Sequence, residues 1–152
     1  MSDPSVSEHK PIFYTLAPAI RFANERHYDQ PYGVAPYIVH LMLVARHFTD
    51  PHRQTIAILH DIVEDTETTL DEIEERFGQE VAQAVDALTR RNGELYLDDY
   101  IRRVKKNPTA KEVKIADLKE NLFSARYCYP GRYDELVPRY EKALEILGVL
   151  MV

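Results

Sequence analysis

One cysteine in 152 residues, Cys128, leaves no internal disulfide to be made. Nowhere is there a run of eighteen apolar residues, so no membrane-spanning helix is expected. Residues 1–10 are polar and lack the apolar core of a secretion signal. Together these shortages point to the cytoplasm and to no membrane partner. No segment alternates apolar and polar residues convincingly enough for a strand, and no internal repeat is visible. Positive charge is in deficit, with a net −6, which argues against a general nucleic-acid binder.

What is present is ordinary globular material: 45% hydrophobic and 29% charged residues, in a length that suits one domain with a sizeable core. The expected division is a flexible lead at residues 1–10 and a single domain over 11–152. Charge is segregated within it. Residues 61–80 hold nine acidic groups and one basic group, Arg76. Residues 90–119 hold nine basic and five acidic groups, so that stretch carries +4 and the remainder −10. A local positive field attracts polyphosphates, although a solvated helix face is the plainer account of the charge alone.

The helical signals come in order. Residues 12–27 place Phe13, Leu16, Ile20 and Ala23 at helical spacing, with Pro18 as a kink point. Residues 30–35 hold Pro, Tyr and Gly and are expected to be a loop, after which Pro36 suits the first position of a helix to about Phe48. Asp50-Pro51 reads as an N-cap with proline at N1, and Asn107-Pro108 repeats the device. Thr69 with Glu72 makes a capping box for a helix closed by Gly78. Residues 79–90, 94–106, 107–126 and 132–149 supply the rest, punctuated by Asn92-Gly93 and Pro130-Gly131. The expectation is an all-α bundle of roughly eight helices.

One stretch carries the chemistry. Residues 56–63 are almost wholly apolar, yet His60 and Asp61 stand inside the run and Glu64 and Asp65 end it. Ionisable groups in such a setting are costly to bury unless paired, and a metal ion suits an imidazole beside a carboxylate. If the run is one continuous helix, His60 and Glu64 share a face, and Asp61 and Asp65 share the neighbouring one. His40 and Asp117 are polar groups in apolar helical contexts on two other helices. Bundles build metal sites from facing helices in this way, and two His with two Asp make a plausible divalent shell. Asn121 and Ser124 follow Asp117 on one face, within reach of whatever the metal holds. Taken singly, each residue also has a plain account: His40 as a core histidine, Asp117 as a partner of Lys114 or Lys119. His27 is placed at the pocket wall or in the structure with equal weight. Tyr127, Tyr129, Tyr133 and Tyr140 cluster after the Asp117 helix, as candidates to meet a nucleobase, with packing or rim positions as the commoner role for such tyrosines. His9, His47 and His52 are expected at the surface, and Cys128 is expected to be inert.

Three strings, in order, resemble the hydrolase domain of RelA/SpoT proteins, within the HD superfamily of metal-dependent phosphohydrolases. They are residues 36–40 (PYIVH), 59–66 (LHDIVEDT) with 69–78, and 113–117 (VKIAD) with Asn121. The resemblance spans about residues 15–145 and is closest to the single-domain small alarmone hydrolases and the metazoan SpoT homologue. It implies an HD-domain helical bundle with His40, His60, Asp61 and Asp117 as ligands of a divalent metal, usually Mn²⁺. It implies that Glu64 and Asp65 position or deprotonate the attacking water. It implies that Asn121 and Ser124 contact the nucleotide's sugar or phosphates, and that the reaction removes the 3′-pyrophosphate from ppGpp or pppGpp.

The chain departs from that pattern at Pro31-Tyr32-Gly33-Val34, where relatives carry basic side chains that meet guanine. The string at 27–33 instead resembles a small-HD subgroup with His-x-Gly-Gln-x-Tyr-Gly, Asp29 replacing its glycine. Tyr32 is then a candidate to stack on the base, with loop packing as the competing role. The alternatives are another nucleotide (ppApp, a dNTP or NADPH), a non-catalytic nucleotide-binding regulatory module, or a plain helical bundle. Nothing in the residues supports or opposes a homo-oligomer.

Overall fold

A computed structural model describes residues 12–149, with side chains from residue 15, so the expected lead at residues 1–10 lies outside them. In chain order the elements begin with α1 (Ile12–Arg26), β1 (Pro31–Tyr32), β2 (Ala35–Pro36), α2 (Ile38–Ala45), α3 (Pro51–Leu59) and α4 (Ile62–Asp65). They continue with α5 (Leu70–Phe77), α6 (Gln79–Leu88), a π-helical segment (Tyr96–Ile101), α7 (Arg102–Lys105), α8 (Pro108–Cys128) and α9 (Tyr133–Ile146). All eight expected helical stretches are present, and two of them are broken.

The start signals close as local chemistry dictates. The Asp50 carboxylate accepts from the Arg53 N–H at 2.9 Å, and Asn107 Oδ1 accepts from the Ala110 N–H at 3.0 Å, each with proline at N1. Thr69 and Glu72 exchange both bonds of a capping box, and Gly78 ends α5 at φ +93°.

The expected loop at 30–35 is instead a two-stranded antiparallel hairpin that pairs Pro31 with Pro36 and Tyr32 with Ala35. Gly33 turns it at φ +62°, and a Cβ there would sit 3.1 Å from Cys128 Sγ, so glycine lets the hairpin pack on the end of α8. Pro36 therefore closes a strand pair rather than opening α2, and the helix begins two residues later. One of the two breaks converts the start of the 94–106 helix to π geometry. There the Tyr100 N–H reaches the Leu95 carbonyl five residues back at 3.0 Å. The Tyr100 hydroxyl donates to the Leu88 carbonyl in the core.

α3 is the centre. Ile56, Ala57, Ile58 and Leu59 are all fully buried, and the helix packs against α1, α2, α6 and α8. A helical segment apolar on every side belongs inside, and α3 becomes one after its exposed first turn at Pro51 and His52. Its C-terminal end therefore delivers His60 to the middle of the molecule, beside α2 and α8.

Candidate metal centre

α3 stops at His60, which caps it at φ −62°, ψ −27°. The chain then turns at Asp61, φ −103°, ψ −1°, before α4 resumes. The continuous helix expected through residue 65 is thus interrupted between the two polar residues. The break lies in the sparsely populated bridge region, where site residues are often found. It swings Asp61 back beside His60, with Oδ2 3.0 Å from Nε2, instead of around the next helical face.

The His60 Nδ1–H donates to the Ala57 carbonyl at 2.6 Å, which leaves Nε2 as the nitrogen turned toward the carboxylates. That Nε2 is buried and has no hydrogen bond, although Asp61 and Asp117 oxygens lie 3.0 and 3.3 Å away. From α2, His40 Nε2 approaches Asp117 Oδ1 to 2.9 Å. One ligand atom from each of His40, His60, Asp61 and Asp117 lies within 4.8 Å of the others. Two imidazoles and two carboxylates at this spacing, with a lone pair left over on a buried ring, fit a divalent ion.

The surroundings orient these four. Asp117 Oδ2 accepts from Lys114 Nζ at 2.8 Å and Oδ1 from Asn121 Nδ2 at 3.0 Å. Asp61 Oδ2 accepts from the Tyr37 hydroxyl. Burial pushes the Asp117 carboxyl up, but Lys114 and His60 outweigh it and hold the group well below the usual carboxylate range. Asp61 is likewise raised by burial and lowered, by more, by His60. Burial lowers His60, but Asp61 and Asp117 raise it further, so the pocket attracts positive charge. A cation with two charges exploits the same field.

A cleft of about 180 Å³ opens on the centre. Its lining combines the carboxylates of Asp61, Glu64, Asp65 and Asp117 with Asn121, the cations Lys114 and Arg139, and four tyrosines, Tyr37, Tyr96, Tyr129 and Tyr140. Glu64 and Asp65 face this open space while protein crowds around them, and burial, then the nearby Asp61 charge, raises both carboxyls. Glu64 Oε1 accepts from the Arg90 N–H at 2.7 Å, and Asp65 Oδ2 from Gln30 Nε2 at 2.9 Å.

The remaining candidates divide. Asn121 reaches the cleft. Ser124 lies beside the Tyr32 hydroxyl and is not among the cleft-lining residues. Tyr32 is 5% exposed, its ring 4.6 Å from that of His40 and its hydroxyl donating to Asn121 Oδ1 at 3.3 Å. With so little of its ring uncovered, it packs against a ligand rather than offering a face to a base. His27 is also buried and meets Gln30, not the cleft. Of the tyrosines, Tyr129 and Tyr140 line the opening, whereas Tyr127 is exposed and Tyr133 stacks under Arg126. His47 and His52 are on the surface as expected; His9 lies outside the described residues. Sequence reasoning missed Tyr37, Gln30, Arg139 and Tyr96. Tyr37 precedes a ligand helix and Gln30 stands in the motif at 27–33, but Arg139 and Tyr96 carried no signal.

The loop that presents the Arg90 N–H to Glu64 is clamped from behind. Arg103 is bidentate to Glu94 at 2.9 and 2.7 Å and also donates to the Ala87 and Thr89 carbonyls at 3.2 and 2.9 Å. Arg103 holds the Glu94 carboxyl down at about 2, against an ordinary 4.5. A depressed carboxyl stabilises the fold fully above its unfolded value and loses that contribution as pH falls from about 4.5 toward 2. Glu94→Gln is expected to cost roughly 1–2 kcal/mol at neutral pH, after discounting for residual solvent. It should flatten the acid limb in urea titrations at pH 6 and pH 3; an unchanged limb would remove the clamp from the account.

Comparison with known proteins fits this arrangement. A family profile described as HD domain matches residues 15–125. The guanosine-3′,5′-bis(diphosphate) 3′-pyrophosphohydrolase MESH1 of Mus musculus is 37% identical over 134 residues, spanning 79% of this chain and 74% of that protein. The guanosine-3′,5′-bis(diphosphate) 3′-pyrophosphohydrolase of Aquifex aeolicus is 43% identical over 77 residues, 47% of this chain and 11% of its own length. A solved structure of a metazoan SpoT orthologue, described as hydrolysing ppGpp, superposes with TM-score 0.74 at 23% identity. It covers 97% of this chain and 89% of that one, a likeness of fold.

Proposed function

The chain belongs to the HD domain family, and on that premise we propose that it is a metal-dependent phosphohydrolase removing the 3′-pyrophosphate from a guanosine 3′,5′-bis(diphosphate) nucleotide. The observation that carries the reading is the convergence of His40, His60, Asp61 and Asp117 within 4.8 Å beside a cleft edged by two further carboxylates. These four would hold a divalent ion, Mn²⁺ in our reading, which when bound would supply Lewis acidity toward water and phosphate. Glu64 and Asp65 lie on the cleft side of the ligands, and their raised carboxyls make them better proton acceptors near neutral pH. In the reaction, water adds to the phosphorus carried by the ribose O3′, and one of these carboxylates takes its proton. The P–O3′ bond breaks, and the departing O3′ takes up a proton, from that carboxylic acid or from solvent, leaving a 3′-hydroxyl and pyrophosphate.

Lys114 and Arg139 bring positive charge to the lining of the same cleft, where phosphate oxygens would carry the developing charge. In this reading Asn121, held by Asp117 and Tyr32, contacts the sugar or phosphates, and Ser124, one turn beyond and beside the Tyr32 hydroxyl, joins it. Tyr129 and Tyr140 give the base an aromatic wall. A cytoplasmic setting suits this reading: Cys128 is a free thiol, and no described helix is long and apolar enough to cross a membrane.

A second reading rests on residues 31–34, where Pro31, Tyr32, Gly33 and Val34 offer no cation to a guanine and Tyr32 is buried. It keeps the chemistry and changes the base. Purified protein with Mn²⁺, offered ppGpp, pppGpp, ppApp, dNTPs and NADPH, separates the two. Pyrophosphate release from ppGpp or pppGpp is the expected result. Turnover confined to another nucleotide selects the second reading, and tight binding without turnover across several metals selects a regulatory module.

A further inference from the structure

We propose that Gln30, keyed by His27, is a positioning residue that aims Asp65 as a proton acceptor; this rests on the phosphohydrolase reading above. Asp65 ends a helix of only four residues, so its own element restrains it little. Its Oδ2 accepts from Gln30 Nε2 at 2.9 Å, and Gln30 Oε1 lies 2.7 Å from His27 Nδ1. A carboxylate only accepts, so the amide nitrogen must face Asp65 and the amide oxygen must face His27. An amide oxygen also only accepts, so His27 Nδ1 must carry a proton. The donors therefore run one way: His27 to Gln30 to Asp65.

Gln30 is fixed along its whole length. Its N–H donates to the His27 carbonyl at 2.9 Å, and its carbonyl accepts from the Tyr37 N–H at 2.9 Å. Immobilising so long a side chain at half-burial forfeits rotamer freedom, which makes incidental ordering a poor account. His27 is 2% exposed, its ring lies 5.0 Å from that of Tyr37, and its Nε2 has no partner. The ring thus presents only Nδ1–H to a polar neighbour. With Oδ2 engaged, Oδ1 is the Asp65 oxygen left for a water in the cleft. Glu64 differs: the Arg90 backbone N–H holds it, which no side-chain substitution removes. The two carboxylates are therefore separable through Gln30 alone.

Two measurements test this. Long-range ¹⁵N correlation spectra above pH 8 report which ring nitrogen of His27 carries hydrogen, without any need for turnover. Nδ1–H is expected, and a neutral Nε2–H ring overturns the proposal. In kinetics with Mn²⁺, Gln30→Met keeps length and loses the donor. It should lower kcat about tenfold or more, with KM within about twofold and Mn²⁺ affinity by electron paramagnetic resonance unchanged. Gln30→Glu keeps the acceptor for His27 but sets a charge against Asp65, and should lose more. In an Asp65→Asn background, Gln30→Met should add almost no further loss. An unchanged kcat, a parallel fall in Mn²⁺ affinity, or additive losses in the double variant each overturn it. Wild-type protein inert toward every nucleotide instead sinks the phosphohydrolase reading, and the His27 spectrum still decides the hydrogen-bond chain.

Discussion

Asp61→Asn is expected to abolish turnover while leaving the fold intact. The substitution keeps shape and removes one of the two carboxylate charges that face His60 Nε2, at 3.0 Å. An asparagine oxygen is a weak ligand for a divalent ion, and its NH₂ group turned toward Nε2 competes for the imidazole lone pair. A loss of at least about a thousandfold in kcat/KM follows, about 4 kcal/mol of transition-state stabilisation. Chelation of the wild type should give the same loss, and added Mn²⁺ should reverse it there but not in the variant. Thermal stability without metal should fall modestly at neutral pH, because the pull of His60 on the Asp61 carboxylate outweighs burial and the repulsion from Asp117. Turnover retained by the variant, or by the chelated wild type, would remove the metal from the mechanism.

Lys114→Met should produce the largest change in stability, and a metal-dependent one. Lys114 Nζ bonds Asp117 Oδ2 at 2.8 Å, with side-chain exposures of 10% and 3%. Burial pushes the Lys114 ammonium down, but Asp117 outweighs it, so both partners are charged. Tyr100 and Tyr96 rings lie 5.4 and 6.0 Å from the ammonium and add to its stabilisation. Removing the cation strands a buried carboxylate, at a cost of about 3–5 kcal/mol. For a domain of this size that is a fall in Tm of about 10 °C. Saturating Mn²⁺ should recover more than half of it, since a bound ion neutralises the same carboxylate. Equal losses with and without metal would mean that no ion binds at Asp117. A loss below about 1 kcal/mol in chelator would mean that the pair is not buried as described.

Much of this molecule was readable from residue order, for a reason of scale. N-caps at Asp50 and Asn107 and the capping box at Thr69 act between residues three apart, so the chemistry that makes them is adjacent in the chain. The four candidate ligand residues were legible because a charge or an imidazole in an apolar run must find a partner. Their convergence, across separations of up to 77 residues, followed only from how α2, α3 and α8 pack.

Other features had no local signature. The break between His60 and Asp61 replaces a helix that the residues themselves favour, and it brings Asp61 to His40 and His60 to Asp117 across the core. The same holds for Tyr37 on Asp61, 24 residues away, and Gln30 on Asp65, 35 residues away. Tyr32 offered an aromatic face to a base by its position in the chain, and lost it to burial against His40. Composition, caps and the choice of candidate ligands therefore followed from short-range chemistry. The direction each side chain points was settled by contacts between segments far apart in the chain, because burial and ion pairing depend on where a group sits in space and not on its neighbours in the chain.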